Sequence, residues 1–319
     1  MIHYISNTYK LMKENEEEHH MDINLELYKV FYHVAKTLSF SDASRELFIS
    51  QSAVSQSVKT LEKRLNQTLF IRSTKKVQLT KEGDLLFKHI EPAINLIVRG
   101  ETQLLDASSL KGGQLRIGAS DTICRYFLVP YLKHFHQMYP GVHIKVTNGT
   151  SVQCVDLLES NQVDLIITNS PNKRLANTRN VYDVKEFGDV FIASKEAFPE
   201  LEEKILSYED LLTYPILMLE SHATTSIFLH QLFLKHQLEL APSVELSSND
   251  LLIDLARIGL GIAFVPDFCR HELNEDLIVL KIKEPLPKRK LVVAYNDQFP
   301  LWRVAEEFLN MLTKESIQP

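Results

Sequence analysis

An N-terminal all-helical unit followed by a larger α/β region is the fold class that this 319-residue sequence predicts. Three observations predict it. Residues 39 to 65, SFSDASRELFISQSAVSQSVKTLEKRL, carry two apolar stripes at helical spacing separated by a short break. Residues Thr80 to Ala107 keep one continuous helical stripe. From Gln114 onward strand-like and helix-like patterns alternate, the order expected of βαβ units with largely parallel sheets. The length suggests two or three domains, and 45% hydrophobic content is enough for sizeable cores.

Residues 1–20 hold an acidic patch at Glu14 to Glu18 and little periodicity, so a disordered extension or the product of an upstream start choice is expected there. His19 and His20 lack partners at metal-ligand spacing. In the first helix of the 39–65 segment, Phe40, Ala43 and Leu47 form the buried stripe, and Ala43 is small enough to let a second helix cross closely. Phe48, Ile49 and Ser50 make the turn, with Ser50 placed to cap the next helix. That helix buries Val54, Val58 and Leu61 and leaves Gln51, Ser52, Ser55, Gln56 and Lys59 outside. Amide, hydroxyl and ammonium groups crowded toward a helix N-terminus are the types that hydrogen-bond base edges and phosphates in a major groove.

A polar outer face also suits any small helical domain, but the next residues argue against so plain a role. Arg45 to Lys81 contains eight basic and two acidic residues, a local charge of +6 in a chain of net charge −6. Such a reversal of sign is the footprint of a phosphate-binding surface. Residues 69 to 80, LFIRSTKKVQLT, suit a β-wing in which Leu69 to Ile71 pairs with Val77 to Leu79 and Thr74, Lys75 and Lys76 form the tip.

The order Phe40-Ser41-Asp42-Ala43, Ser50-Gln51-Ser52-Ala53-Val54-Ser55, Leu61-Glu62, Leu69-Phe70-Ile71-Arg72 and Leu79-Thr80-Lys81-Glu82-Gly83 resembles the N-terminal winged helix-turn-helix of LysR-type transcriptional regulators. Ser52 departs from it, since the family usually has proline there, and serine is also acceptable in a first helical turn. The resemblance implies double-stranded promoter DNA as a partner, with contacts from Ser41, Gln51, Ser52, Ser55, Gln56, Lys59, Arg72, Lys75 and Lys76. It divides the chain into a 21–79 DNA-binding domain, an 80–107 linker and dimerisation helix, and a 108–113 hinge. An effector domain follows, with one lobe of 114–193 and 290–319 and a second of 194–289. It also implies self-association as a dimer and a tetramer, with ligand closing the two lobes, altering how dimers pack and so changing the bend imposed on DNA.

In the linker, Leu86, Ile90, Ala93, Ile97 and Leu104 form one stripe, a surface in need of a partner helix. Pro92 removes an amide donor and is expected to kink the helix near Lys88 to Glu91. Beyond the hinge, strands are expected at Leu115–Ala119, Val142–Val146 and Asp164–Ile167, with helices over Leu128–Met138 and Val152–Glu159. Asp189–Ala193 crosses into the second lobe, which holds strands at Ile216–Leu219, Val244–Leu246 and Ile262–Val265 and helices at Ile227–His236 and Leu251–Ile258. Lys290–Tyr295 returns, and Val304–Leu312 closes the first lobe. Two crossings between two Rossmann-like α/β lobes resemble the periplasmic-binding-protein architecture of the family's effector domain.

Ligands of open α/β sheets bind beyond the carboxyl ends of the strands. Here that rule collects Ser120, Asp121, Thr122, Asn148 to Thr150, Thr168 to Ser170, Ser221 to Thr225 and Ser247 to Asn249. Hydroxyl and amide groups near helix N-termini suit a small carboxylate or other oxyanion, although many such residues are ordinary helix caps. Ser120, Thr122, Thr150 and Thr225 sit where the resemblance places effector contacts, and Thr168 and Ser248 join them as candidates. Asp121 and Glu220 nearby weigh against a strongly anionic effector.

Other chemistry is not supported. Gly259-Leu260-Gly261 joins a helix to a strand, the reverse of a phosphate loop, and serves as a tight turn. Cys124, Cys154 and Cys269 have no CxxC spacing, so neither a metal site nor a disulfide framework is expected and a reduced cytoplasm fits. His222, Ser221 and Cys154 lack a partnered base and orienting carboxylate at recognisable spacing, so no catalysis and no cofactor are expected. No apolar run reaches the roughly 18–20 residues that cross a bilayer, so no membrane partner is expected. The rival reading is a solute-binding receptor or enzyme whose N-terminal helices only dimerise, and the +6 stretch argues against it.

Overall fold

A computed structural model describes residues 23–72, 76–106, 113–176, 178–272, 275–296, 298 and 301–314, with backbone alone for 72, 102–106 and 270–272. The 1–20 extension, the wing tip at Thr74 and Lys75, the Leu104 side chain and most of the 108–113 hinge lie outside it. The chain divides into two compact units, residues 1–98 and 99–319.

In the first unit, α1 (Leu25–Thr37), α2 (Phe40–Leu47) and α3 (Gln51–Leu65) each begin at a side-chain cap, Asn24, Ser39 and Ser50. Phe48 ends α2 in the left-handed region, φ 55°, and turns the chain into α3. The three helices close over Phe31, Val34, Ala43, Val54, Val58 and Leu61, all fully buried. Strand β1 (Phe70–Arg72) pairs antiparallel with β2 (Val77–Leu79), matching Phe70 with Leu79. The wing strand therefore starts one residue later than the pattern suggests. Leu69 instead anchors the wing in the core and accepts a hydrogen bond from the Thr80 amide, 3.0 Å.

Helix α4 (Lys81–Asp106) passes through Pro92 and continues to Asp106. Gly83 lies against the wing, where a Cβ would stand 2.1 Å from the Leu69 carbonyl oxygen, so only glycine allows the crossing. The linker stripe is divided. Leu86 and Ile90, with Phe87, pack against the core of their own winged unit, because a three-helix core this small needs the first turns of α4 to cover it. Ala93 and Ile97 remain exposed.

The second unit has two five-stranded sheets. The first follows the order β4–β3–β5–β14–β6 and is built from β3 (Gln114–Ala119), β4 (His143–Asn148), β5 (Leu165–Ser170), β6 (Val181–Phe187) and β14 (Arg289–Ala294). Strands β3, β4 and β5 run parallel, whereas β14 is antiparallel to both β5 and β6. Helices α5 (Val129–Met138) and α9 (Arg303–Lys314) cover one face through Phe135 and Phe308, and α6 (Ser151–Glu159) covers the other through Cys154 and Val155. With helices on both faces, β5 is buried from Leu165 to Thr168, which is why it reads as an unbroken apolar run.

The second sheet follows the order β10–β9–β11–β7–β12, from β7 (Asp189–Ser194), β9 (Ile216–Leu219), β10 (Val244–Leu246), β11 (Ile262–Pro266) and β12 (Leu277–Val279). Helices α7 (Thr224–Lys235) and α8 (Asn249–Arg257) pack on it, and short strands β8 (Ile205–Leu206) and β13 (Lys281–Ile282) pair beside it. Because β7 belongs to this sheet, the first crossing between lobes falls at Gly188 and not after residue 193. The second falls before Arg289. Strands β6 and β12 escape the sequence pattern because β6, VYDVKEF, is a half-exposed edge and β12 has three residues. Gly261 is held in its turn by the Pro215 carbonyl oxygen, 2.4 Å from where a Cβ would be.

Where the linker helix enters this unit, Arg99 meets Asp164. The Asp164 carboxylate accepts from the Arg116 amide, 2.8 Å, and from its Nη2, 3.0 Å, and Arg99 Nη2 lies 3.2 Å from the same Oδ1. That last approach satisfies distance but not hydrogen-bond geometry, so Arg99 is held there by charge.

Candidate functional site

Two surfaces hold the predicted residues, one in each unit. On the first, Ser50 Oγ accepts from the Ala53 amide, 3.2 Å, and meets Ser52 Oγ at 2.9 Å, which fixes the first turn of α3. Gln51, Ser52, Gln56 and Lys59 are exposed on that turn and the two that follow, Ser55 is half-buried beside them, and Ser41 is half-buried on α2. Lys76 is exposed at the start of β2. The Glu62 carboxylate of α3 accepts from the Leu69 and Phe70 amides, 2.9 and 3.3 Å, and so ties this helix to the wing. The side chains of Arg72 and Lys75 lie outside the described residues.

The second surface is a cleft of about 290 Å³ between the two lobes. Ser120, Thr122, Thr150, Thr225 and Ser248 all line it. Thr168 does not. Its side chain is fully buried, and since successive strand residues face opposite sides, it is Asn169 that reaches the cleft. Three of the hydroxyls are helix caps: Ser120 accepts from the Ile123 amide, Ser248 from Leu251, and Thr150 forms a capping box with Gln153. Helix α7 differs, because Ala223 stands at its N-cap and no side chain closes its first turn.

Contacts across the cleft join the lobes. Asn249 Nδ2 donates to Thr122 Oγ1 at 2.9 Å, Tyr126 donates to Asp250 Oδ1 at 2.6 Å, and Arg125 reaches Asp250 Oδ2 at 3.1 Å. Burial and the hydrogen bond to Asp250 push the Tyr126 hydroxyl pKa up, so it stays a donor. Behind Thr225 lies the buried pair Arg289–Asp189. Arg289 Nε donates to Asp189 Oδ2 at 2.6 Å, both terminal nitrogens reach Thr225 Oγ1 at 3.3 Å, and the guanidinium sits 4.8 Å from the ring centres of Phe187 and Phe228. Burial raises the pKa of Asp189, and Arg289 opposes that rise.

Asn249, Asn169, Glu220 and His222 fall within or beside the runs at strand ends, whereas Pro266 and Phe268 carry no sequence signal of a cleft. Nor does Arg289: Lys288-Arg289-Lys290 looks like a solvated run, and strand alternation turns only its middle residue inward. The three cysteines are free, and burial pushes the Cys124 thiol up to about 11 and the Cys154 thiol up to about 12, so neither is a ready thiolate. Among the described residues no cluster of metal ligands occurs, and no helix is long and apolar enough to cross a membrane.

Residues 25–84 match the family model described as "Bacterial regulatory helix-turn-helix protein, lysR family", and residues 108–316 match "LysR substrate binding domain". The chain is 31% identical over 291 residues to the HTH-type transcriptional activator CmpR of Synechocystis sp., covering 90% of this chain and 94% of that one. It is 28% identical to the HTH-type transcriptional regulator CbbR of Rhodospirillum rubrum, covering 92% and 97%. Its fold is similar to that of a full-length OxyR variant from Pseudomonas aeruginosa, with TM-score 0.67, 20% identity and 94% and 100% of the two chains covered. It is also similar to full-length CbnR complexed with its target DNA, with TM-score 0.65, 16% identity and coverage of 91% and 99%. From its helix-turn-helix through its substrate-binding domain, the chain belongs to the LysR family of bacterial transcriptional regulators.

Proposed function

We propose that α3 reads base edges of promoter DNA through Gln51, Ser52, Ser55, Gln56 and Lys59. Ser41, Arg72, Lys75 and Lys76 would hold the phosphate backbone or the minor groove. One observation supports this most: the first three turns of α3 present uncharged donors and acceptors and one ammonium, while the opposite face is fully buried at Val54, Val58 and Leu61. A helix held so firmly by its back can offer its front to a groove without repacking. The exposed Ala93 and Ile97 of α4 form a seam for a second copy, which pairs two recognition helices for two half-sites and leaves further faces for a tetramer.

In the same reading, a small-molecule effector occupies the cleft, touching Ser120, Thr122, Thr150, Thr225 and Ser248, and shifts the lobes between two settings. The cleft binds without catalysing: His222 Nε2 lies 3.3 Å from Glu220 Oε2, and neither is aligned with a nucleophile. A regulator that meets promoter DNA works in the cytoplasm. The test is fluorescence anisotropy of the full chain on its own upstream DNA and on scrambled duplex across a salt series. Tighter binding to the upstream DNA with a steep salt slope is expected, and equal binding to both duplexes would refute the assignment.

A further inference from the structure

We infer that the effector is a small zwitterion of amino-acid type, an inference that rests on the cleft being the effector site. The cleft is lined by an open helix end, which donates, and by carboxylate and amide oxygens, which accept. Among the donors, α7 is twelve residues long and opens at Ala223 without a side-chain cap, so its first-turn amides and the positive end of its dipole are left for a carboxylate. Thr225 strengthens that end. Its oxygen accepts from Arg289, so its own proton is free to be donated, and a hydroxyl that accepts from a cation donates more strongly.

Among the acceptors, Asp121, whose Oδ1 also accepts from Asn148 Nδ2 at 2.9 Å, and Glu220, with His222 Nε2 at 3.3 Å, both line the cleft. Asn249 lines it too and is 7% exposed, and while its Nδ2 is engaged by Thr122, its Oδ1 has no hydrogen-bond partner. A buried acceptor without a partner calls for a donor on the ligand. Among the described residues that line the cleft there is no lysine or arginine. A dianion or a phosphorylated acid would therefore meet two carboxylates and no lysine or arginine, whereas an ammonium group meets a carboxylate and a carboxylate meets the open helix end. Ile123, Leu219, Pro266 and Phe268 supply apolar wall, and a volume of about 290 Å³ limits the ligand to a small aliphatic side chain.

The test is thermal shift followed by calorimetry on the full chain. The probes are the aliphatic L-amino acids, the 2-hydroxy acids with the same side chains, malate and 3-phosphoglycerate. At least one amino acid should raise the melting temperature and bind tenfold or more tightly than its hydroxy analogue. Glu220→Gln should weaken the amino acid by a similar factor and leave the hydroxy acid nearly unchanged. Binding of malate or 3-phosphoglycerate with no response to any amino acid would overturn the inference, as would no response to any probe or equal affinity for amino and hydroxy acid. Operator binding measured on the same samples separates the two levels: specific DNA binding alongside a dianion ligand leaves the regulator standing and removes only the ligand class.

Discussion

Replacing Arg289 with methionine tests how the two lobes are held at their crossing. The substitution keeps an unbranched side chain between Phe187 and Phe228 but removes every donor to Asp189 and Thr225. Both charged side chains are at most 1% exposed, so the variant leaves a carboxylate in the interior without its cation. Breaking a buried pair from one side costs about 3–5 kcal/mol. For a unit of this size each kcal/mol moves the melting temperature by about 2–4 °C, so a loss of roughly 6–20 °C is expected by calorimetry. The double variant Arg289→Met with Asp189→Leu should recover most of it, since an apolar pair of similar volume replaces a buried ion pair at little cost. The pH dependence gives an independent sign. Burial already lifts the pKa of Asp189 above the ordinary carboxylate value, and without Arg289 it rises further. A carboxyl whose folded pKa exceeds its unfolded value destabilises the fold as pH rises through that interval, so the variant's deficit should shrink at mildly acidic pH. A loss below about 1 kcal/mol, or a double variant no better than the single, would refute a stabilising pair.

Four further outcomes follow from the same structure. Gln56→Ala should reduce discrimination between operator and random duplex by about 1–3 kcal/mol, whereas Lys76→Ala should weaken both alike and flatten the salt slope by about 0.9, as anisotropy titrations would show. Ile97→Glu should split the dimer in light scattering while the winged unit keeps its circular dichroism. Ile90→Glu should unfold that unit instead, because Ile90 packs on the helix-turn-helix core. Iodoacetamide should modify Cys124 and Cys154 slowly at neutral pH in the folded chain and rapidly in urea, since burial keeps both thiols protonated.

The helices and wing are legible in the sequence because each is defined locally. Ser50 caps α3, Val54, Val58 and Leu61 repeat with the period of a helix, and the wing is a short hairpin next to them. The alternation that predicts two α/β lobes likewise depends on residues close in sequence. What escapes is set by partners distant in the chain. Leu86 and Ile90 belong to the same stripe as Ile97, yet the helix-turn-helix core takes the first two and leaves the third to solvent. Thr168 and Asn169 are neighbours near the end of β5 and face opposite sides, and which side meets the cleft is set by what packs on each face of the sheet. Arg289 is separated from Asp189 by one hundred residues, and no local pattern announces that a lysine-flanked arginine will be buried.

The Glu62 carboxylate has a consequence for how DNA would be read. A single oxygen of a side chain on α3 receives the Leu69 amide, where the chain enters the wing, and the Phe70 amide, the first of β1. Helix α3 and the start of the wing therefore turn together, and the recognition face and β1 would keep a constant phase along the duplex. Whatever an effector does to the rest of the molecule, it can shift this pair along the DNA or lift it off, but it cannot retune the groove contact against the backbone contact. Glu62→Gln would loosen that gearing, and the contacts would then respond to base sequence and to salt as two separate readers.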